Sequence, residues 1–166
     1  MNKKNKSIKS NGGFNVQEKR GFVSYTAPYN GGMVFNVARV SGDDKFDVEF
    51  GKALAFARVE LTIRIDEERK ARRVLKEMQS HLNSELKKSP DLDASRFWSR
   101  HIEIASKYYK ELLRYRRNQA RVVSLIVSGE YAGHKYGEML KLAHDRVLFE
   151  EAKAIAKKES ANYVGK

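Results

Sequence analysis

No glycine or proline interrupts residues 52–88, and within that span Leu54, Leu61, Leu75 and Leu82 recur at seven or fourteen residues, with Ala57, Ala71 and Met78 at the intervening places. Residues three, four and seven apart stack on one face of an α-helix, so the spacing predicts a helical seam of about five turns or more. A chain with such a stretch must build long helices and cover the seam. A competing pattern lies inside it. Val59, Leu61, Ile63 and Ile65 alternate with Arg58, Glu60, Thr62 and Arg64, which describes a strand, and Asp66 could cap a new helix after it. One continuous helix is preferred, because the seam keeps its phase through the alternation and the charged residues Glu67, Glu68, Arg69, Arg72 and Arg73 fall on an outer face. A strand over 58–65 would instead add a third strand and make the fold α+β.

Ser89-Pro90-Asp91-Leu92-Asp93 is a break, with Asp93 expected as the N-cap of a second helix over 94–128, about 50 Å long and ended by Ser128-Gly129. Trp98, Ile102, Ala105, Tyr109, Leu112, Val123 and Ile126 give it an apolar face. It carries eight Lys or Arg against Glu103 and Glu111, a net of +6. Arg96, Arg100, Lys107, Lys110, Arg114 and Arg121 are spaced by threes, fours and sevens, and Arg117 continues the row, so these cations share one helical edge. Trp98, Tyr108, Tyr109 and Tyr115 are interleaved with them. Cations for phosphates with aromatic faces for unpaired bases is a mixture that nucleic-acid binders use. The rival reading is a solvated cationic face, with Trp98 and Tyr109 in the core. Gly133 and Gly137 loosen the next segment. Met139, Leu140, Ala143, Val147, Leu148, Ala152 and Ile155 then mark a last helix to about Glu159, and the tail SANYVGK has no pattern.

Residues 1–19 are polar and basic and are read as a mobile arm whose Lys3, Lys4, Lys6 and Lys9 add phosphate contacts. Two β-prone runs, Phe22–Ala27 and Met33–Val40, flank Pro28-Tyr29-Asn30-Gly31-Gly32, a strong turn signal, so residues 20–42 are expected to form a β-hairpin. Val34, Ala38 and Val40 alternate with Met33, Phe35 and Val37, which makes both faces largely apolar. One face should lie on the helices, leaving the other as a contact surface. The expected fold is mostly α: a hairpin and three long helices in an elongated antiparallel bundle, forming one domain over 20–166 behind the arm.

The net charge of +12 is unevenly spread: +5 on residues 1–20, zero on 21–45, ten basic against ten acidic on 46–93, +6 on 94–128 and +1 on the remainder. Charge gathered on a tail and one helix points to an acidic partner, most often nucleic acid. Without Cys there is no thiolate chemistry or Cys-ligated zinc. No apolar run is long enough to span a membrane, and MNKKNKSIKS lacks the apolar segment of a signal peptide, so the expected location is cytoplasmic. His81, His101, His134 and His144 form no metal or nucleophile motif, and Asp43, Asp44, Asp47 and Glu49 read as helix capping, not as an EF-hand. No phosphate-cradling loop or nucleophile elbow occurs. The expected protein is non-enzymatic and takes no cofactor.

The passage Val34 to Glu60, in which a short strand is followed by an acidic turn, Phe46, Gly51, Leu54-Ala55 and Arg58, resembles a pattern in small accessory proteins of Firmicutes phages and prophages. Arg39-Val40-Ser41-Gly42 departs from the Cys-x-Pro-like element often found there. The resemblance implies a long helix entered near residue 50 and a phage-encoded role, such as interference with a host defence or nucleic-acid complex, in the host cytoplasm. No catalytic residues come with it. The expected partner is DNA or RNA bound without sequence preference, or a nucleoprotein complex. The alternative is a host protein bound through the hairpin and helices, and pairing with a second copy through the Leu54–Leu82 seam is a third idea.

Overall fold

A computed structural model describes residues 12–39, 45, 47–88 and 92–164. Three strands, β1 (Gly13–Gln17), β2 (Phe22–Tyr29) and β3 (Gly32–Arg39), precede three helices, α1 (Val48–Lys88), α2 (Leu92–Val127) and α3 (Tyr136–Val164). The protein is therefore mostly α, with a β part at its N-terminal end.

The sheet is antiparallel in the order β1-β2-β3. Tyr29 pairs with Gly32 across the two-residue turn Asn30-Gly31, whose φ values of 50° and 77° are both positive, the combination that matches the twist of the flanking strands. Pro28 sits in the central strand but beyond the end of β1, which pairs only as far as Gly13 with Thr26, so its missing N–H breaks no ladder there. The third strand comes from residues 13–17, inside the stretch expected as a mobile arm, and not from 58–65. Phe14 and Val16 face inward beside Tyr25 and Val23, and that burial fixes the segment. Residues 58–65 lie within α1, and Val59, two positions from both Ala57 and Leu61, is fully buried on the side of the helix away from the seam.

Asp47 starts α1, its Oδ1 accepting the N–H groups of Glu49 and Phe50 at 2.9 and 3.0 Å. The first turns of α1 are built from small residues. Gly51, Ala53, Ala55 and Ala57 are buried, and a Cβ placed on Gly51 would lie 2.7 Å from Val23 Cγ2, so the sheet rests directly on the helix backbone. Arg58 donates from Nη1 to the Val37 carbonyl at 3.0 Å, while the Val37 N–H is taken by Asn36 Oδ1 at 2.8 Å, closing the outer edge of β3 there. Phe35, on the opposite sheet face from Val34 and Ala38, stays 68% exposed.

Contacts of Ala57 with Gln119, Arg64 with Tyr115 and His81 with Trp98 run α1 and α2 antiparallel, and the Leu61–Leu82 part of the seam faces α2. The surface considered for pairing with a second copy is thus covered within the chain. Helix α3 returns antiparallel to α2, with Glu150 and Glu151 level with Arg121 and Asn118. It begins earlier and ends later than its apolar pattern, and α2 begins one residue before Asp93, which lies inside the first turn. The core gathers Val23, Ala38, Ala53, Ala55, Val122, Ile126, Met139 and Val147 where sheet and helices meet. Beyond Glu68 on α1 and before Leu112 on α2 no described residue is buried. That half of the pair is a two-helix arm about 30 Å long, held by a half-buried seam.

Candidate nucleic-acid interface

Arg96, Arg100, Lys107, Lys110, Arg114, Arg117 and Arg121 are all exposed on α2. At about 100° per residue Lys110 and Arg117 lie on one flank of the seam residues Trp98, Ala105, Tyr109 and Leu112, Arg96 lies a little further round on the same side, and Arg100, Lys107, Arg114 and Arg121 lie about half a turn away, on the outer side of α2. Their surroundings differ. Arg114 Nε lies 3.6 Å from Glu151 and Arg121 is paired with Glu150, both carboxylates belonging to α3. Lys107 is bonded to Glu103 at 2.9 Å, which raises the lysine and holds Glu103 below the usual carboxylate range. Arg96 stands 4.0 Å from Asp93. Arg100, Lys110 and Arg117 have no carboxylate within 4.0 Å among the described residues. Lys3, Lys4, Lys6 and Lys9 lie outside the described residues.

A second row was missed in the sequence. Residues 69–88 hold seven Lys or Arg against Glu77 and Glu85, a net of +5, but the acidic residues of 47–68 and the two aspartates of 91–93 cancel it in any window spanning 46–93. A window of about twenty residues finds it. Arg69, Arg72, Arg73, Lys76 and Lys87 are exposed, without an ion pair among the described residues; Arg69, Arg72 and Lys76 share one flank of α1, and Arg73 and Lys87 lie next to it on the outer side. Lys70 is different: it bonds Asp66 at 2.7 Å and lies over the Tyr29 ring.

The two rows share a face. Both are displaced forward in sequence sense from their seam, and in antiparallel helices the windings seen from one end run in opposite directions, so forward displacement in each leads to the same side of the pair. The register of the α1–α2 contacts sets Arg69 level with Lys110 and Arg72 level with Lys107. The opposite side carries an open groove of about 350 Å³ whose lining includes Tyr29 of β2 and Lys70, Val74, Ala105 and Tyr108, these four helical residues being displaced backward from the seam or level with it.

Of the four aromatics expected among the cations, Tyr115 alone contacts a cation of the α2 row, lying under Arg114 at 5.2 Å. Trp98 stacks on His81 of α1 at 5.7 Å, and Tyr109 is half-buried in the seam. Phe97, Ile104, Tyr108 and Tyr115 are exposed on the groove side, and Tyr115 sits under Arg64 and Arg114. The remaining basic residue of α2, Arg116, turns into the seam, its Nε 4.0 Å from the buried Glu68. No described helix is long and apolar enough to cross a membrane. Comparison with protein-family models, with curated proteins and with solved structures returns no match.

Proposed function

We propose that the protein binds nucleic acid through its phosphates, without base-specific readout and without catalysis, on the cationic flank of the α1–α2 arm. The observation that carries this reading is the convergence of Arg69, Arg72, Lys76, Lys110 and Arg117 on one face, with Arg73, Lys87 and Arg100 on the outer sides of the helices beside it, all exposed and with no carboxylate within 4.0 Å among the described residues. Arg114 and Arg121 contribute less, since an incoming phosphate must compete with Glu151 and Glu150. Lys3, Lys4, Lys6 and Lys9 extend the charge. The resemblance to phage accessory proteins fits a role on nucleic acid, or on a nucleoprotein complex, in a host cytoplasm.

Salt titration tests this. If about six phosphates are neutralised, log affinity falls with log salt at a slope of about −5 to −6. Charge reversal at Arg72 and Lys110 lowers both affinity and slope. A flat salt response overturns the reading.

A second reading rests on the outer sheet face, where Phe35 is 68% exposed. There the protein is an adaptor or inhibitor that docks a host protein. It predicts a complex that survives nuclease and is lost on Phe35→Asp.

A further inference from the structure

We infer that the nucleic acid taken by this face is a duplex, held by both of its backbones, in preference to a single strand. This rests on the nucleic-acid reading above and sharpens it. Proteins that hold single strands combine cations with aromatic platforms, and each stacked base contributes about 1–3 kcal/mol. Here the two components are separated: Arg69, Arg72, Lys76, Lys110 and Arg117 occupy one flank of the helix pair, whereas Phe97, Tyr108 and Tyr115 open on the other. Trp98, the one tryptophan, is occupied by His81. A strand following Arg69, Arg72, Lys76, Lys110 and Arg117 runs on the flank away from these rings, and Tyr115 lies instead under Arg114, which Glu151 already holds, so phosphate contact outweighs stacking there.

Phosphate contact alone favours the duplex. Its charge density is higher, one per about 1.7 Å of axis, and the salt slope per contact is about −0.9 against −0.7 for a single strand. For six contacts of equal intrinsic strength, that difference amounts to roughly tenfold in affinity near 0.1 M salt. Shape agrees. On the shared flank Arg69 to Lys76 of α1 and Lys110 to Arg117 of α2 each extend about 11 Å, at 1.5 Å per residue, and in the α1–α2 register together they cover about 21 Å. They flank a seam between axes about 8–10 Å apart. A stiff duplex presents two backbones to such a strip without rearrangement; a flexible strand must be straightened first.

The experiment measures fluorescence anisotropy of the full chain with a mixed-sequence duplex of two turns, as DNA and as RNA, and with each separated strand, across a range of salt. Duplexes of either sugar are expected to bind on the order of tenfold tighter near 0.1 M salt and with the steeper slope. Phe97→Ala with Tyr108→Ala should leave duplex affinity within twofold. Equal or tighter binding of single strands overturns the inference while leaving the broader proposal standing. So does a severalfold loss on removing the two rings. Absence of binding to every probe overturns both.

Discussion

Glu68 lies 7% exposed between the helices, with the Arg116 guanidinium as its counter-charge and the Arg116 Nε buried without an acceptor. At 4.0 Å the pair has charge attraction but no hydrogen bond at that atom, so desolvation of two ions is poorly offset. Arg116→Met alone leaves the carboxylate without its partner and should lower stability by about 2 kcal/mol in urea unfolding, less than for a fully buried pair because the arginine is partly exposed. Glu68→Leu with Arg116→Met should be at least as stable as the native chain. Gly51 presents a different balance. Alanine gains about 1 kcal/mol of helix propensity. Its Cβ would also press on Val23, which is fully buried and cannot move aside. Overpacking of that kind costs about 1–3 kcal/mol, so Gly51→Ala is expected to be destabilising by about 1 kcal/mol. Neither residue was legible in advance. A glutamate in a run of charged neighbours reads as surface, and a glycine just before a long helix reads as a boundary.

At the scale of elements, the seven-residue spacing of Leu54, Leu61, Leu75 and Leu82 outweighed the strand-like alternation of 58–65, because a strand would have dropped Leu75 and Leu82 from any shared face. The turn at Asn30-Gly31 and the stop at Ser128-Gly129 were equally plain. Strand β1 was hidden by its brevity: two alternating apolar residues, Phe14 and Val16, follow a polar basic stretch and gain meaning only against β2. The extension of α3 through Ala161 was hidden because those turns bury nothing. Helices α1 and α3 are tied where they begin: Glu49 Oε2 accepts the Tyr136 N–H at 3.0 Å and Oε1 holds Lys52 at 2.9 Å. The Tyr136 N–H first, then Lys52, hold the Glu49 carboxyl below the usual carboxylate range. Because the folded value is the lowered one, this contact contributes fully at neutral pH and is lost as pH falls through the acid range. Glu49→Gln should therefore narrow the gap in melting temperature between neutral and acid pH, measured by circular dichroism.

Across the whole molecule, the core is confined to the junction of sheet and helices, and all the cations of the proposed interface except Arg117 lie on an arm with no buried residue among those described. Hydrogen exchange should follow that division, slowest at 51–59 and fast at 80–88 and 92–98, with protection on the arm expected when nucleic acid is added if the proposed binding holds. The outer strand of the sheet has its own consequence. A β-strand bordering solvent can template an identical strand from another molecule, and an exposed phenylalanine beside it encourages growth. On β3 the rung at Val37 is occupied from both sides, by the Arg58 guanidinium and the Asn36 side chain. Arg58 thus guards against self-propagating polymers, and Arg58→Ala should shorten the lag before thioflavin-positive fibrils appear in concentrated, agitated solution.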